Sequence, residues 1–82
     1  MTWTVYLLRC RDGSLYTGIT NDLARRVTAH QAGTASAYTR ARRPVRLAYL
    51  EPATDRSAAL RREAAIRRLS RAAKLALLGS PR

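Results

Sequence analysis

The chain has 82 residues, which limits it to one small domain with a modest core, since a chain this short buries only about 60–65% of its unfolded surface. Fifteen arginines and one lysine against five acidic residues give a net charge of +11. That is far more than solubility needs and points to a polyanionic partner, nucleic acid first and acidic membrane second. One cysteine, Cys10, and one histidine, His30, exclude an internal disulfide and a multi-His metal site and argue against Cys-based zinc.

Thr2–Cys10, rich in Trp, Val, Tyr and Leu, reads as a strand. Asp12-Gly13 signals a hairpin, and Ser14–Thr20 reads as the returning strand. Thr20 or Asn21 can cap a helix beginning near Asp22, whose carboxylate suits the positive end of the helix dipole. Leu23, Val27 and His30 recur at helical spacing, and Gly33 ends the element. Gly33–Pro44 reads as a basic loop holding Tyr38, Arg40, Arg42 and Arg43. Val45–Glu51 is a third strand, introduced by Pro44 and stopped by Pro52. A second helix runs from Thr54 or Asp55 to about Leu69, and Ser70 can cap a short third helix, Arg71–Leu78, ended by Gly79. Trp3, Leu7 and Leu47 are core candidates. The order β-β-α-β-α-α predicts an α+β fold, a small three-stranded antiparallel sheet flanked by helices, with residues 1–82 as one domain.

The hairpin turn decides whether Tyr6 and Tyr16 meet. A two-residue turn at Asp12-Gly13 sets Tyr6 opposite Ile19, and the two rings project from opposite faces. A three-residue loop, Arg11-Asp12-Gly13, pairs Leu8 with Tyr16 and puts both rings on one face, with Gly13 at the left-handed position of a bulged loop. Arg26 and His30, spaced i, i+4, share a helix face at the edge of the core stripe, facing the sheet. Glu63 lies ~40° from Ala59 and ~60° from Ile66 around its helix, at ~100° per residue, so it borders the apolar face. It also precedes Arg67 by one turn, the favourable order for a surface ion pair. Taken singly, these residues are also ordinary strand aromatics, a solvated arginine, a half-buried helix histidine and an ion pair.

Val5-Tyr6-Leu7, Tyr16-Thr17-Gly18, the segment Thr20–Val27 and Leu60-Arg61-Arg62-Glu63 together resemble the motifs of GIY-YIG nucleases. More narrowly, the chain resembles the small stand-alone UPF0213 group, over nearly its whole length. The resemblance implies a catalytic set of Tyr6, Tyr16, Arg26, His30 and Glu63, and with it the three-residue hairpin loop. Glu63 would hold one Mg²⁺ or Mn²⁺ ion, weakly until substrate phosphates and water complete the shell. Arg26 would neutralise charge on the phosphate being cut. His30 would position a tyrosine, the phosphate or the water, or relay a proton. Tyr16 is favoured as base and Tyr6 as its orienting partner. Thr17, Gly18 and Thr20 would shape the floor of the site. Larger family members often carry an active-site Asn late in the domain, whereas the one Asn here is Asn21.

Tyr38, Arg40, Arg42 and Arg43 read either as a solvated loop or as a grip on a nucleic-acid backbone, with Tyr38 stacking on a base. The expected reaction is metal-dependent phosphodiester hydrolysis, with DNA ahead of RNA. Selection by DNA structure, low sequence specificity or a protein partner for targeting follows from the lack of a targeting domain, and a repair role is the family-level expectation. Two other readings compete: a non-catalytic nucleic-acid-binding module that retains the fold, and a basic protein docked on an acidic partner or membrane. No apolar run reaches the roughly 20 residues that cross a bilayer. No signal peptide is legible, so the cytoplasm is the expected location and no membrane partner is expected.

Overall fold

In the computed structural model, which describes residues 2–79, the elements are β1 (Trp3–Arg9), β2 (Leu15–Thr20), α1 (Leu23–Ala32), α2 (Ala37–Arg40), β3 (Arg46–Ala53), α3 (Arg56–Arg67) and α4 (Arg71–Leu77). The strands form one antiparallel sheet, as the pattern of strands and helices predicts, and its order is β2-β1-β3. Central β1 is apolar on both faces because both are covered. Val5 and Leu7 pack on Ala59 and Ile66 of α3, with Leu69, Leu77 and Leu78 around them. Tyr6 and Leu8 face the other way, with Cys10, Val45 and Tyr16, under Leu23 and Val27 of α1. The sheet is thus the middle of three layers. Each fully buried Leu or Ile in it contributes about 1.5–3 kcal/mol.

The hairpin takes the three-residue form. Cys10 N donates to Ser14 O and Gly13 N to Cys10 O, both at 2.9 Å. Gly13 has φ +86°, the left-handed conformation in which a side chain would be strained. Asp12 Oδ1 accepts from Ser14 N at 3.0 Å and from Ser14 Oγ at 2.6 Å, which fixes the loop. The register pairs Leu8 with Tyr16 and Tyr6 with Gly18, so both tyrosines stand on the α1 face.

Several boundaries and placements differ from the sequence reading. Helix α1 starts at Leu23, and Asp22 is its cap, with Oδ1 accepting from Arg25 N at 3.2 Å. Thr20 Oγ1 accepts from Asp22 N at 3.0 Å and so orders the cap residue instead of capping the helix. The basic loop contains α2, a single turn too short to show a periodic pattern, capped by Ser36. Strand β3 continues through Pro52 to Ala53, because it is an edge strand and a proline whose missing N–H would face outward costs no ladder bond there. Leu47 is 39% exposed and not in the core. It pairs with Leu8, beside a register shift in the β1–β3 ladder, on an edge strand of the sheet.

Two polar clamps hold the layers. The Gln31 side chain accepts from Val45 N at 3.2 Å and donates to Val45 O, tying α1 to the entrance of β3. Glu51 accepts from Tyr49 Oη at 2.5 Å and from Arg62 Nε at 2.8 Å, tying β3 to α3. Burial opposes ionisation of Glu51, but the bonds from Arg62 and Tyr49 outweigh it and hold the carboxyl below its usual range. Among the described residues, no helix is long and apolar enough to cross a membrane.

Candidate active site

The hairpin register brings Tyr6 and Tyr16 to one face, and α1 lays His30 between them. The Tyr6 Oη–His30 Nε2 distance is 2.9 Å. The His30 ring meets the edges of both phenols, with centroids 5.8 Å from Tyr6 and 5.1 Å from Tyr16. Tyr6 is 2% exposed and His30 1%. Burial raises the Tyr6 pKa well above that of an ordinary phenol. Tyr16 and Glu63 add to the rise, while Arg26 opposes it. Burial, then the charge of Arg26, lowers the His30 pKa below its usual 6.5. At neutral pH the pair is therefore a neutral phenol against a neutral imidazole.

Gly18 is what lets Tyr6 lie there. A Cβ at Gly18 would stand 2.5 Å from Tyr6 Oη and 2.6 Å from its Cζ. The close approach expected at this glycine is therefore made by the Tyr6 ring. Thr17 behaves differently from the sequence expectation. It pairs with Leu7, so its side chain faces α3, away from the tyrosines, and its carbonyl oxygen accepts from Arg67 Nη2 at 3.2 Å. Thr20 stays on the tyrosine face and lines an open groove of about 540 Å³ with Asn21, Asp22, Arg25, Arg26 and Ala29.

Arg26 is exposed in that groove, whereas its i, i+4 spacing from the buried His30 placed it against the sheet. A guanidinium without a carboxylate partner stays in water. Among the described residues no hydrogen bond engages its side chain, and its charge is felt at both Tyr6 and His30.

Glu63 approaches from the opposite layer. It projects from α3 with its side chain 17% exposed, and its Oε2 accepts from Arg67 Nη2 at 3.2 Å. The ion pair with Arg67 is thus present, and Arg67 uses the same nitrogen to reach Thr17 O on edge strand β2. The Glu63 charge is felt at Tyr6, but no contact joins the carboxylate to either tyrosine among the described bonds. The molecule therefore gathers Tyr6, Tyr16 and His30 into direct contact, with Arg26 and Glu63 flanking them from the two sides of β2. Among the described residues there is no group of three or more His, Cys, Asp or Glu that could hold a metal by itself. Glu63 Oε1 has no described partner. One free carboxylate oxygen fits an ion whose other ligands come from water and substrate phosphate.

A second groove, of about 370 Å³, runs past Tyr16 between Leu15, Thr17, Tyr38, Arg67 and Lys74. The Tyr38 ring is 5.8 Å from that of Tyr16, and the Arg42 guanidinium covers Tyr38 at 3.8 Å from the ring centroid. Of the residues read as a nucleic-acid grip, Arg40 is exposed and Tyr38 is 38% exposed. Arg42 and Arg43 are partly committed to the protein. Arg42 pairs with Asp12 at 3.1 Å and donates to Tyr38 O, and Arg43 donates to Arg40 O and Gln31 O.

Sequence reasoning missed Thr39 and Ser36. His30 Nδ1 is 2.8 Å from the Oγ1 of Thr39, the fully buried residue of α2. Ser36 Oγ is 2.9 Å further on. Their only signal was a Ser three residues before a Thr, an N-cap spacing too common to single out. The sequence marks Arg67 as the ion-pair partner of Glu63; what it does not show is the bond from the same guanidinium to Thr17 O, which depends on how α3 crosses β2.

The comparisons with known proteins identify the family and the fold. A family model described as the GIY-YIG catalytic domain matches residues 2–76. A UPF0213 protein of Xanthomonas axonopodis pv. citri is 55% identical over 76 residues, covering 93% of this chain and 74% of that protein. One from Halobacterium salinarum is 51% identical over 73 residues, covering 89% and 95%. The solution NMR structure of a UPF0213 protein from Bacillus halodurans superimposes with a TM-score of 0.61 at 41% identity, covering 95% of this chain and 83% of that one. The paired tyrosine strands, the three-layer fold and these likenesses together mean that the chain belongs to the GIY-YIG nuclease family, among its UPF0213 members.

Proposed function

We propose that this protein is a metal-dependent nuclease that hydrolyses phosphodiester bonds, in DNA ahead of RNA, selecting by nucleic-acid structure or with low sequence specificity. The observation that carries the reading is the packing of Tyr6, Tyr16 and His30 beside an unpaired arginine and a half-free carboxylate, in a molecule of charge +11. Glu63 is the residue that would hold Mg²⁺ or Mn²⁺. When bound, the ion supplies Lewis acidity toward the scissile phosphate and the leaving oxygen. Arg26, free in its groove, binds the same phosphate and offsets the charge that develops on it. Tyr16, more open than Tyr6, meets the attacking water and orients it or takes its proton. Tyr6 is buried and holds its own proton tightly, which suits a partner that orients Tyr16 and His30 and not the base itself. Tyr38 and Arg40 extend the grip on the strand. A role in DNA repair, with a protein partner choosing the site, is the family-level part of this proposal.

One observation favours a non-catalytic binding module instead: Glu63 is already paired with Arg67. Nicking of DNA with Mg²⁺ or Mn²⁺, compared between wild type, Glu63→Gln and Arg26→Ala, separates the two. The enzyme loses activity in both variants while Glu63→Gln still binds DNA. A binding module nicks in none of them.

A further inference from the structure

We infer that Thr39 is a positioning residue of this site: its hydroxyl holds the His30 ring with the proton on Nδ1, leaving Nε2 to accept from Tyr6. Its part in catalysis rests on the nuclease reading above; the proton placement stands without it.

A chain of hydrogen-bonded side chains runs inward from Tyr6 to Ser36. Tyr6 Oη, His30 Nε2, His30 Nδ1, Thr39 Oγ1 and Ser36 follow one another at 2.9 Å (Tyr6 to His30), 2.8 Å (His30 to Thr39) and 2.9 Å (Thr39 Oγ1 to Ser36 Oγ). A neutral imidazole has one donor and one acceptor nitrogen. With the proton on Nδ1, every hydrogen has an acceptor. Tyr6 donates to Nε2, Nδ1 donates to Thr39 Oγ1, and the Thr39 hydroxyl donates to Ser36 Oγ or to Ser36 O at 3.4 Å. With the proton on Nε2 the chain reverses. Thr39 then donates to Nδ1, and Nε2 donates to Tyr6 Oη. The Tyr6 hydroxyl hydrogen is left in a buried place with no acceptor among the described residues, and leaving a buried donor unpaired is unfavourable.

Helix α2 makes this possible. Ser36 Oγ accepts from Thr39 N at 3.2 Å, so the cap that starts the turn also fixes the Thr39 side chain over His30. The single turn inside the basic loop thus acts on Tyr6 through His30, from a residue that touches neither tyrosine in the described bonds.

His30 is the only histidine in the chain, so long-range ¹⁵N–¹H NMR of the whole protein reads its tautomer without ambiguity. The expected result at neutral pH is Nδ1–H in wild type, retained in Thr39→Ser and shifted toward Nε2–H in Thr39→Val. On the nuclease reading, Thr39→Val also lowers the nicking rate about tenfold and Thr39→Ser restores it. An Nε2–H wild type overturns the inference, and that measurement needs no variant to fold. Retention of Nδ1–H in a folded Thr39→Val protein overturns it equally. A shifted tautomer with an unchanged nicking rate ends the positioning role. The expected tautomers in a protein that nicks nothing would reject the nuclease reading and leave the proton placement intact.

Discussion

Tyr6 Oη and His30 Nε2, 24 residues apart in the chain, meet at 2.9 Å inside the sheet–α1 layer. Both are buried, so the bond is both a structural contact and the backbone of the site. Replacing Tyr6 by Phe leaves Nε2 without a partner. The expected loss of stability is about 1–3 kcal/mol. A domain of this size then melts roughly 4–8 °C lower per kcal/mol. Nicking should fall by at least about tenfold, or ~1.4 kcal/mol in the barrier, with DNA affinity little changed. Thermal melts and a binding titration measured side by side check both parts.

His30 gives a pH signature. Its pKa in the folded protein lies below the unfolded value of 6.5 because burial, and then Arg26, penalise the charged ring. The unfolded chain therefore binds the extra proton first. The stability that His30 contributes is present above pH 6.5 and is lost as pH falls through the folded value. An NMR titration of the single histidine should give a midpoint below 6.5, and denaturant melts should show stability dropping over the same window. A midpoint at or above 6.5 would mean that the ring is not buried in this way.

Gly18→Ala should be costly although alanine is small. Its Cβ would collide with the Tyr6 ring at 2.5–2.6 Å, and that ring is held by His30 and cannot swing aside freely. Overpacking of this kind costs about 1–3 kcal/mol. Combining it with Tyr6→Ala should recover part of the loss relative to the sum of the two single changes. Strict additivity in the double variant would show that the clash is elsewhere.

Glu51 carries an acid-sensitive clamp between β3 and α3. Its pKa in the folded protein lies below the reference 4.5. Its contribution is therefore complete above about that value and disappears as pH falls through the folded pKa. Glu51→Gln should cost about 1–3 kcal/mol at pH 7, and the difference from wild type should shrink below pH 4. A difference that stays constant from pH 7 to pH 3 would remove the clamp from the account.

Much of this was legible because it is local. Alternation and turn chemistry put Tyr6 and Tyr16 on one face once the loop at Gly13 had three residues, and helical angles put Glu63 at the border of the Ala59–Ile66 face. What escaped was set by neighbours far away in sequence. Leu47 reads as core by composition, but only the sheet order reveals that it stands on an exposed edge strand. Arg26 shares a helix face with His30, yet desolvation decides that the imidazole goes in and the guanidinium stays out. Thr39 lies in a four-residue helix that no periodicity can signal, and its importance comes from a histidine nine positions earlier.

The central claim is that Glu63 serves bond cleavage and is more than the ion-pair partner of Arg67. The most direct test is a strand-nicking assay on a panel of branched, duplex and single-stranded DNA with Mg²⁺ or Mn²⁺, run with wild type and Glu63→Gln at matched DNA occupancy. Wild type should nick at least one of these substrates and stop when the metal is chelated, while Glu63→Gln binds as well and cuts at least 100-fold more slowly, a barrier change of about 2.7 kcal/mol. Equal cutting by the two proteins would contradict the account.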